Sequence, residues 1–275
     1  MATAPAGSPV SGNRMNKYAL QIGPAAVDRL LVLDEIHDRS SNFLLSQAES
    51  VRPSRILDLG CGIGLTTERL ARIWPMAERI VGIDREAEQI DVALARSPAR
   101  NIAYRVGEIE QALDDVHEYD LVYGRFVFSH NRQSHQLMKA IYENMRPGAA
   151  LLIEEPDIGT AFTLHGSGIL EEVEALYLKL GNILHHSFLS GSNLAKHASE
   201  ICSNSSITFI HPVLSKWREK SLYLLGLNEA GGRYIEHGLI DELELPSIKD
   251  RLKLEIDDES SLFAAARLMQ LAMWR

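Results

Sequence analysis

Cysteine is almost missing from this 275-residue chain, which has only Cys61 and Cys202. Two cysteines do not make a disulfide framework, and both read as small, buried, inert thiols. Basic charge is also short: 28 Lys and Arg stand against 37 Asp and Glu, a net charge of −9. Nucleic-acid binding usually leaves a basic footprint, so that class of partner is excluded. A local basic stretch, Lys216 to Lys220, has only Trp217 beside it and reads as a solvated helix face. No apolar run approaches the roughly 18–20 residues of a membrane-spanning helix, so no membrane partner is expected. The opening residues, MATAPAGSPVSGN, are small and polar with no apolar signal core. Residues 1–15 therefore read as a disordered tail, and the expected compartment is cytoplasmic.

What is present is an apolar content of 45%, ample for one large core. The most informative stretch is RILDLGCGIG, Arg55 to Gly64. Its apolar start, closed by Gly60, suits a parallel strand buried on both faces. Gly60, Gly62 and Gly64 alternate with Cys61 and Ile63. Such glycines permit positive φ and a close approach of ligand to backbone. Thr66, Thr67 and Glu68 suit the first turn of a helix. A second strand, ERIVGID, ends at Asp84. The order strand, glycine turn, helix, strand is a βαβ unit with a right-handed crossover. Nicotinamide and flavin dinucleotides ask for G-x-G-x-x-G with the pyrophosphate on the helix N-terminus. The third glycine of that pattern falls on Leu65, so the turn is not of the dinucleotide type. The competing reading is a glycine turn that serves packing alone.

The pattern G-x-G-x-G, with Asp58 two residues before it, resembles motif I of the class I S-adenosylmethionine-dependent methyltransferases. The resemblance implies that Asp58 helps hold the methionine end of that cofactor while the turn, including Cys61 and Thr66, passes beneath it. Asp84, with Arg85 next to it, stands where the family's ribose-binding carboxylate belongs. Glu108 and Ile109 follow a third strand at Asn101 to Val106, where the family contacts adenine. YDLVYGRFVFSH, Tyr119 to His130, resembles the family's fourth strand and its exit, and places Arg125 at the pocket wall. Arg146-Pro147-Gly148 before the apolar strand Ala149 to Glu155 is a further landmark. The implied fold is a doubly wound, seven-stranded, mostly parallel α/β sheet with an antiparallel last strand. The remaining elements are expected at Gly191–Cys202 (helix), Ser206–His211 (sixth strand) and Ala264–Trp274 (last strand).

Two segments exceed that minimal fold. Residues 16–50 carry helical spacing and read as an N-terminal helical cap, opened by Tyr18. The resemblance to small-molecule methyltransferases implies that this Tyr reaches the cofactor. Residues 159–190, inserted after strand five, place Ile169, Val173, Leu176, Leu180, Ile183 and Leu184 on one helical face. They read as a lid over the active-site mouth. The catalytic domain is then expected over 51–158 and 191–275. A stretch from Val213 to Asp258 adds to the cap, and Glu255 to Glu259 reads as an acidic surface run.

A hydroxyl acceptor would need a base, and histidine suits that work. His130, after strand four, is the first candidate. His185 and His186, ending the lid helix, are the others, with helix-end capping as the alternative role. Glu154, Glu155 and Asp157 invite comparison with the magnesium site of catechol methyltransferases. The ligands that site needs after strand four are replaced by Gly124, Arg125 and Phe126, so no metal is expected. The Asn/Asp-Pro-Pro-Phe/Tyr motif of DNA- and protein-directed relatives is also missing. The sequence thus points to S-adenosylmethionine-dependent methylation of a small-molecule acceptor, its acceptor atom open between O, N, S and C. Two competitors keep the pocket: a cyclase or pericyclic catalyst that leaves the cofactor intact, and a non-catalytic partner subunit. A homodimer is left open by the sequence.

Overall fold

The computed structural model describes residues 20–96, 99–131, 133–186 and 189–275. Its centre is a seven-stranded sheet in the order β3-β2-β1-β4-β5-β10-β7. The strands are β1 (Arg55–Leu59), β2 (Arg79–Asp84), β3 (Ile102–Val106), β4 (Leu121–Arg125), β5 (Ala150–Asp157), β7 (Ser205–Ile210) and β10 (Arg267–Trp274). The pairs β1–β2, β1–β4, β2–β3 and β4–β5 are parallel, and β10 runs antiparallel to both β5 and β7. The chain order reverses direction between β1 and β4, which opens a crevice at the carboxyl ends of these strands.

Side-chain alternation along the strands builds two apolar layers. Leu57, Leu59, Val81, Ile83, Val122, Leu151 and Ile153 face α4 (Ser134–Asn144) and α6 (Ser190–Ile201). Ile56, Ile80, Leu121, Tyr123 and Leu152 face the other way, toward α1 (Val27–Ser46) and α2 (Leu65–Ile73). The helix α3 (Ala87–Arg96) completes the crossover from β2 to β3. On α1, Val32, His37, Ser41, Leu44 and Leu45 are buried, the stripe expected of a helix packed on a sheet.

A third apolar cluster stands apart from the sheet. It joins α5 (Ile169–Leu184), α7 (Trp217–Glu236) and α8 (Glu244–Asp257) through Val173, Leu176, Leu180, Leu227, Tyr234, Ile248 and Leu252. A small sheet in the order β6-β9-β8 borders it, formed by β6 (Phe162–His165), β8 (Val213–Leu214) and β9 (Leu262–Ala264). Both α5 and the Val213 to Asp258 stretch therefore enter one helical layer. The run Ala264 to Trp274, expected as one strand, divides: Ala264 ends β9, and β10 begins at Arg267. Residues 159–190 are likewise part strand, through β6, rather than helix alone.

Two surface readings are corrected by packing. Lys220 is buried, and its ammonium donates to Asp258 O at 2.7 Å and Ser261 Oγ at 2.7 Å. Glu255 is buried too, accepting from the N–H and hydroxyl of Ser167. Both groups tie the ends of α7 and α8 to neighbouring loops, a role that charge pattern alone conceals. Among the described residues, no helix is long and apolar enough to cross a membrane.

The helix α1 is held on the sheet by charge. Asp34 takes Arg125 Nη2 at 2.6 Å and Arg69 Nη2 at 2.8 Å. Both arginine side chains are nearly sealed from water, at 7% and 2% exposure. Asp34→Ala should therefore cost about 3 kcal/mol in a urea titration, because it leaves buried Arg125 without its ion-pair partner and Arg69 with Asp38 alone, at 2.9 Å. A loss below about 1 kcal/mol would show that water replaces the carboxylate.

Candidate functional site

The crevice at the strand ends is occupied by the glycine turn between β1 and α2. Gly60, Gly62 and Gly64 have φ of 64°, 52° and 85°, a region L side chains rarely adopt. Cys61 N–H donates to Ile83 O at 3.0 Å, and Gly62 N–H donates to Asp84 Oδ2 at 2.9 Å. The turn is thus pinned to the end of β2 from both sides of Cys61. A Cβ placed on Gly62 would meet nothing within 4 Å, so this glycine fronts open space.

That space is a cavity of about 330 Å3. Its floor is Gly60, Cys61, Gly62, Thr66 and Asp84, and its side is Arg125, Phe126, Val127 and His130. The opposite wall comes from α1, α5 and α7, with Arg29, His37, Glu174, Tyr177 and Tyr223. One enclosure therefore runs from the glycine turn to the separate helical layer.

The acids at and beneath the floor are partly prepared for a ligand. Asp58 is buried, and its Oδ2 accepts from the hydroxyls of Thr66 and Thr67, each at 2.6 Å. Its other oxygen, Oδ1, is buried without a partner. Burial pushes the Asp58 carboxyl up to about 6, against the pull of the two hydroxyls. Asp84 accepts Glu86 N–H on Oδ1 at 2.9 Å and lines the cavity; burial raises its pKa as well. Cys61 is buried and its thiol is pushed up by burial and by both acids, so it stays protonated and unreactive.

The remaining expected residues divide by place. Gly64 lies beneath the turn, where an added Cβ would strike the Tyr104 hydroxyl. Arg85 pairs with Glu86 at 3.2 Å beside the cavity. Glu108 is exposed, and Ile109 opens a short 3₁₀ helix at the carboxyl end of β3. Arg125 lines the cavity, but its guanidinium is committed to Asp34 and Ser41. Tyr18 lies outside the described residues. His130 and His186 meet edge to face, with ring centroids 5.2 Å apart, at the cavity wall. His130 keeps an exposed surface at this wall, and partial desolvation, with His186, Arg85 and Arg29 nearby, lowers its pKa from the ordinary value. His185 is exposed at φ 62° and ends α5 as its left-handed C-terminal residue.

Several residues of the site were not singled out in the sequence. His37 is buried against Phe126, with ring centroids 5.3 Å apart, and its Nδ1 has no partner. Phe126 itself adopts φ 57°. Glu155, weighed as a metal ligand, instead accepts the N–H groups of Val127 and Phe128 at 2.6 Å and of Ser129 at 3.2 Å. It fixes the turn after β4 that carries His130. Glu154 takes Ser41 Oγ at 2.7 Å, Tyr123 Oη at 2.6 Å and Gln270 Nε2 at 2.5 Å. Asp157 holds Ser192 and Arg267. Among the described residues, no group of three or more His, Cys, Asp or Glu is arranged to hold a metal ion. An acid paired with consecutive backbone N–H groups leaves no periodic mark, so these roles could not be read from spacing.

The open sheet, its topological switch and the pinned glycine turn define a Rossmann-like, doubly wound domain. A family model described as a methyltransferase domain matches residues 32–200, more than half the chain. The protein belongs to that family, the class I S-adenosylmethionine-dependent methyltransferases. A trans-aconitate 2-methyltransferase of Rhodopseudomonas palustris is 30% identical over 130 residues, 47% of this chain and 49% of that protein. A malonyl-[acyl-carrier protein] O-methyltransferase of Priestia megaterium is 25% identical over 199 residues, 70% of this chain and 66% of that one. The chain thus spans about half of the first relative's length and just under two thirds of the second's. Among solved structures, the YcgJ protein of Bacillus subtilis matches with a TM-score of 0.54 at 14% identity, over 87% of this chain and 99% of that one. That likeness establishes the fold alone.

The three backbone donors leave Glu155 with a raised pKa, about 8 against an ordinary 4.5, because burial outweighs them. The folded state then binds a proton that the unfolded state has lost, so this group's contribution to stability falls as pH rises from about 4.5 to about 8. Glu155→Gln should flatten the slope of unfolding free energy over that window. An unchanged slope in paired urea titrations would place the titration elsewhere.

Proposed function

We propose that the protein transfers the methyl group of S-adenosylmethionine to a small molecule bound in the same cavity. The observation that carries this reading is the continuity of the glycine turn with an enclosure roofed by α5 and α7. The residues present fit the cofactor: Gly62 leaves backbone room, Asp58 has an orphaned buried oxygen, and Asp84 ends β2 at the cavity floor. Asp84 would accept the two ribose hydroxyls, and Gly60 to Gly64 with Thr66 would carry the methionine end. Asp58 would act there through its free Oδ1. Glu108 and the Ile109 N–H would meet adenine, and Arg85, Arg125 and Tyr18 would border the ligand.

When bound, the cofactor supplies an electrophilic sulfonium methyl, and the protein's main contribution is alignment and exclusion of water. The α5 and α7 layer serves as the lid in this reading. His130 and His186 form the wall between cofactor and acceptor. The lowered pKa of His130 makes it a weaker base than a free imidazole, so it is read as a shape-giving group rather than a proton acceptor. The domain boundary that follows is a catalytic sheet domain with 159–190 as its principal lid insertion and 16–50 as its N-terminal cap. The relatives' names point to small-molecule or carrier-bound acceptors, and a small molecule suits the acidic chain.

Calorimetry with S-adenosylmethionine and S-adenosylhomocysteine tests the cofactor assignment. Asp84→Ala should weaken binding more than tenfold, about 1.4 kcal/mol or more, while Asp84→Asn, which retains one acceptor, should lose less. Unchanged affinity in the alanine variant would sink the ribose assignment. Formation of S-adenosylhomocysteine with acceptor present separates methyl transfer from chemistry that leaves the cofactor whole.

A further inference from the structure

The charges that line the cavity are unevenly compensated. Arg29 is spent on Glu229, at 2.8 Å, with both side chains largely buried. Arg125 is spent on Asp34, at 2.6 Å. Asp84 belongs to the glycine turn, which it holds through Gly62 N–H. Glu174, on α5, remains. It is buried at the wall away from that turn, and among the described residues it forms no ion pair. Its Oε2 accepts one hydrogen bond, from Gly159 N–H at 3.0 Å. Among the described residues its Oε1 has no donor and, unlike Asp58 Oδ1, it is not sealed from solvent, so it opens on the cavity that the residue lines.

Its surroundings are aromatic and apolar. Tyr177, Tyr223 and Tyr234 line the same cavity, as do Val173 and Leu227. Burial raises the pKa values of all three phenols, that of Tyr177 to about 12, and the Glu174 charge adds to the rise in each. Burial pushes Glu174 itself up to about 7, the mark of a carboxylate kept from water without a counter-charge. A buried acid of this kind gains most from a cation that brings its own donors. Aromatic rings around it favour the same charge.

We propose that this end of the cavity recognises a small amine, whose ammonium donates to Glu174 Oε1 while its apolar body packs on Val173, Leu227 and the tyrosines. The inference rests on the methyl-transfer reading only in taking that amine for the acceptor. It concerns recognition: the ammonium anchors the molecule at the α5 wall. Carboxylate ligands are disfavoured there, since they would meet Glu174 with both cavity arginines already paired.

Two probes that share a phenylethyl body and carry opposite charges test this, phenethylamine and hydrocinnamate. Each is titrated calorimetrically into the full chain, alone and with saturating S-adenosylhomocysteine. Phenethylamine should bind at least tenfold more tightly than hydrocinnamate, and Glu174→Gln should erase the difference. The glutamine keeps the side-chain volume and an acceptor for Gly159 N–H. Its S-adenosylhomocysteine affinity should stay within about twofold of wild type, which also reports an intact fold. Equal binding of the two probes, preference for hydrocinnamate, or no detectable amine binding would overturn the proposal, as would a preference that survives in a folded Glu174→Gln variant. If that variant fails to fold, the wild-type comparison decides alone. Loss of S-adenosylhomocysteine binding by the wild-type protein would instead count against the methyl-transfer reading, leaving the amine preference measurable without it.

Discussion

Asp34 is the residue on which the site's shape depends. It stands on α1 and reaches Arg69 on α2 and Arg125 at the end of β4, so one carboxylate joins three elements. Each arginine is buried and would be costly without a counter-charge. Desolvation works against the Asp34 anion, yet its pKa is lowered, because the two arginines outweigh that penalty together. Next to it, Glu154 adds a second tie between α1 and the sheet, through Ser41, Tyr123 and Gln270. Apolar packing alone would let α1 slide along the sheet face, since dispersion and burial are not directional. The paired charges fix its register. With it they fix the positions of Arg29, Leu33 and His37 along the cavity.

The cavity's two ends are built by different physics. At the glycine end, position is set by backbone hydrogen bonds: Cys61 to Ile83, Gly62 to Asp84, and three consecutive N–H groups to Glu155. Such contacts are short-range and geometrically exacting. At the other end, α5 and α7 meet through aliphatic and tyrosine side chains. Contacts of that kind tolerate changes of size and shape with modest energy cost. A scaffold that keeps one end rigid and leaves the other to adaptable packing can hold a constant ligand beside a variable one.

How much of this was legible in the sequence follows from the range of each interaction. The β1–turn–α2–β2 unit was readable because every determinant lies within about thirty residues: an apolar strand, alternating glycines, a helix start and a terminal acid. The α1 and α5 stripes were readable because helical periodicity is local. The Asp34–Arg125 pair was not, because the two residues lie 91 positions apart with no pattern linking them. Glu154 and Glu155 drew notice as adjacent acids, but adjacency in a strand sends them to opposite faces. One meets Tyr123 and Ser41, the other the turn at Val127 to Ser129. The break between β9 and β10 was hidden because Ala264, Ala265 and Ala266 continue the apolar run while the chain changes sheets.

The electrostatics of the cavity draw these threads together. A deep pocket can bear a buried acid in three ways: by an arginine, by backbone donors, or by leaving the charge for a ligand. This chain uses the first for Asp34 and the second for Glu155. Among the described residues, Asp58 Oδ1 is buried without a partner, and Glu174 Oε1 has no protein donor where its residue lines the cavity. Buried polar atoms are rarely left so without cause, because each costs about 1–3 kcal/mol. One of these stands under the glycine turn and the other at the α5 wall. Protein stability gains nothing from either. In the proposed reading, these two oxygens are places where bound molecules, rather than the chain, complete the hydrogen bonding.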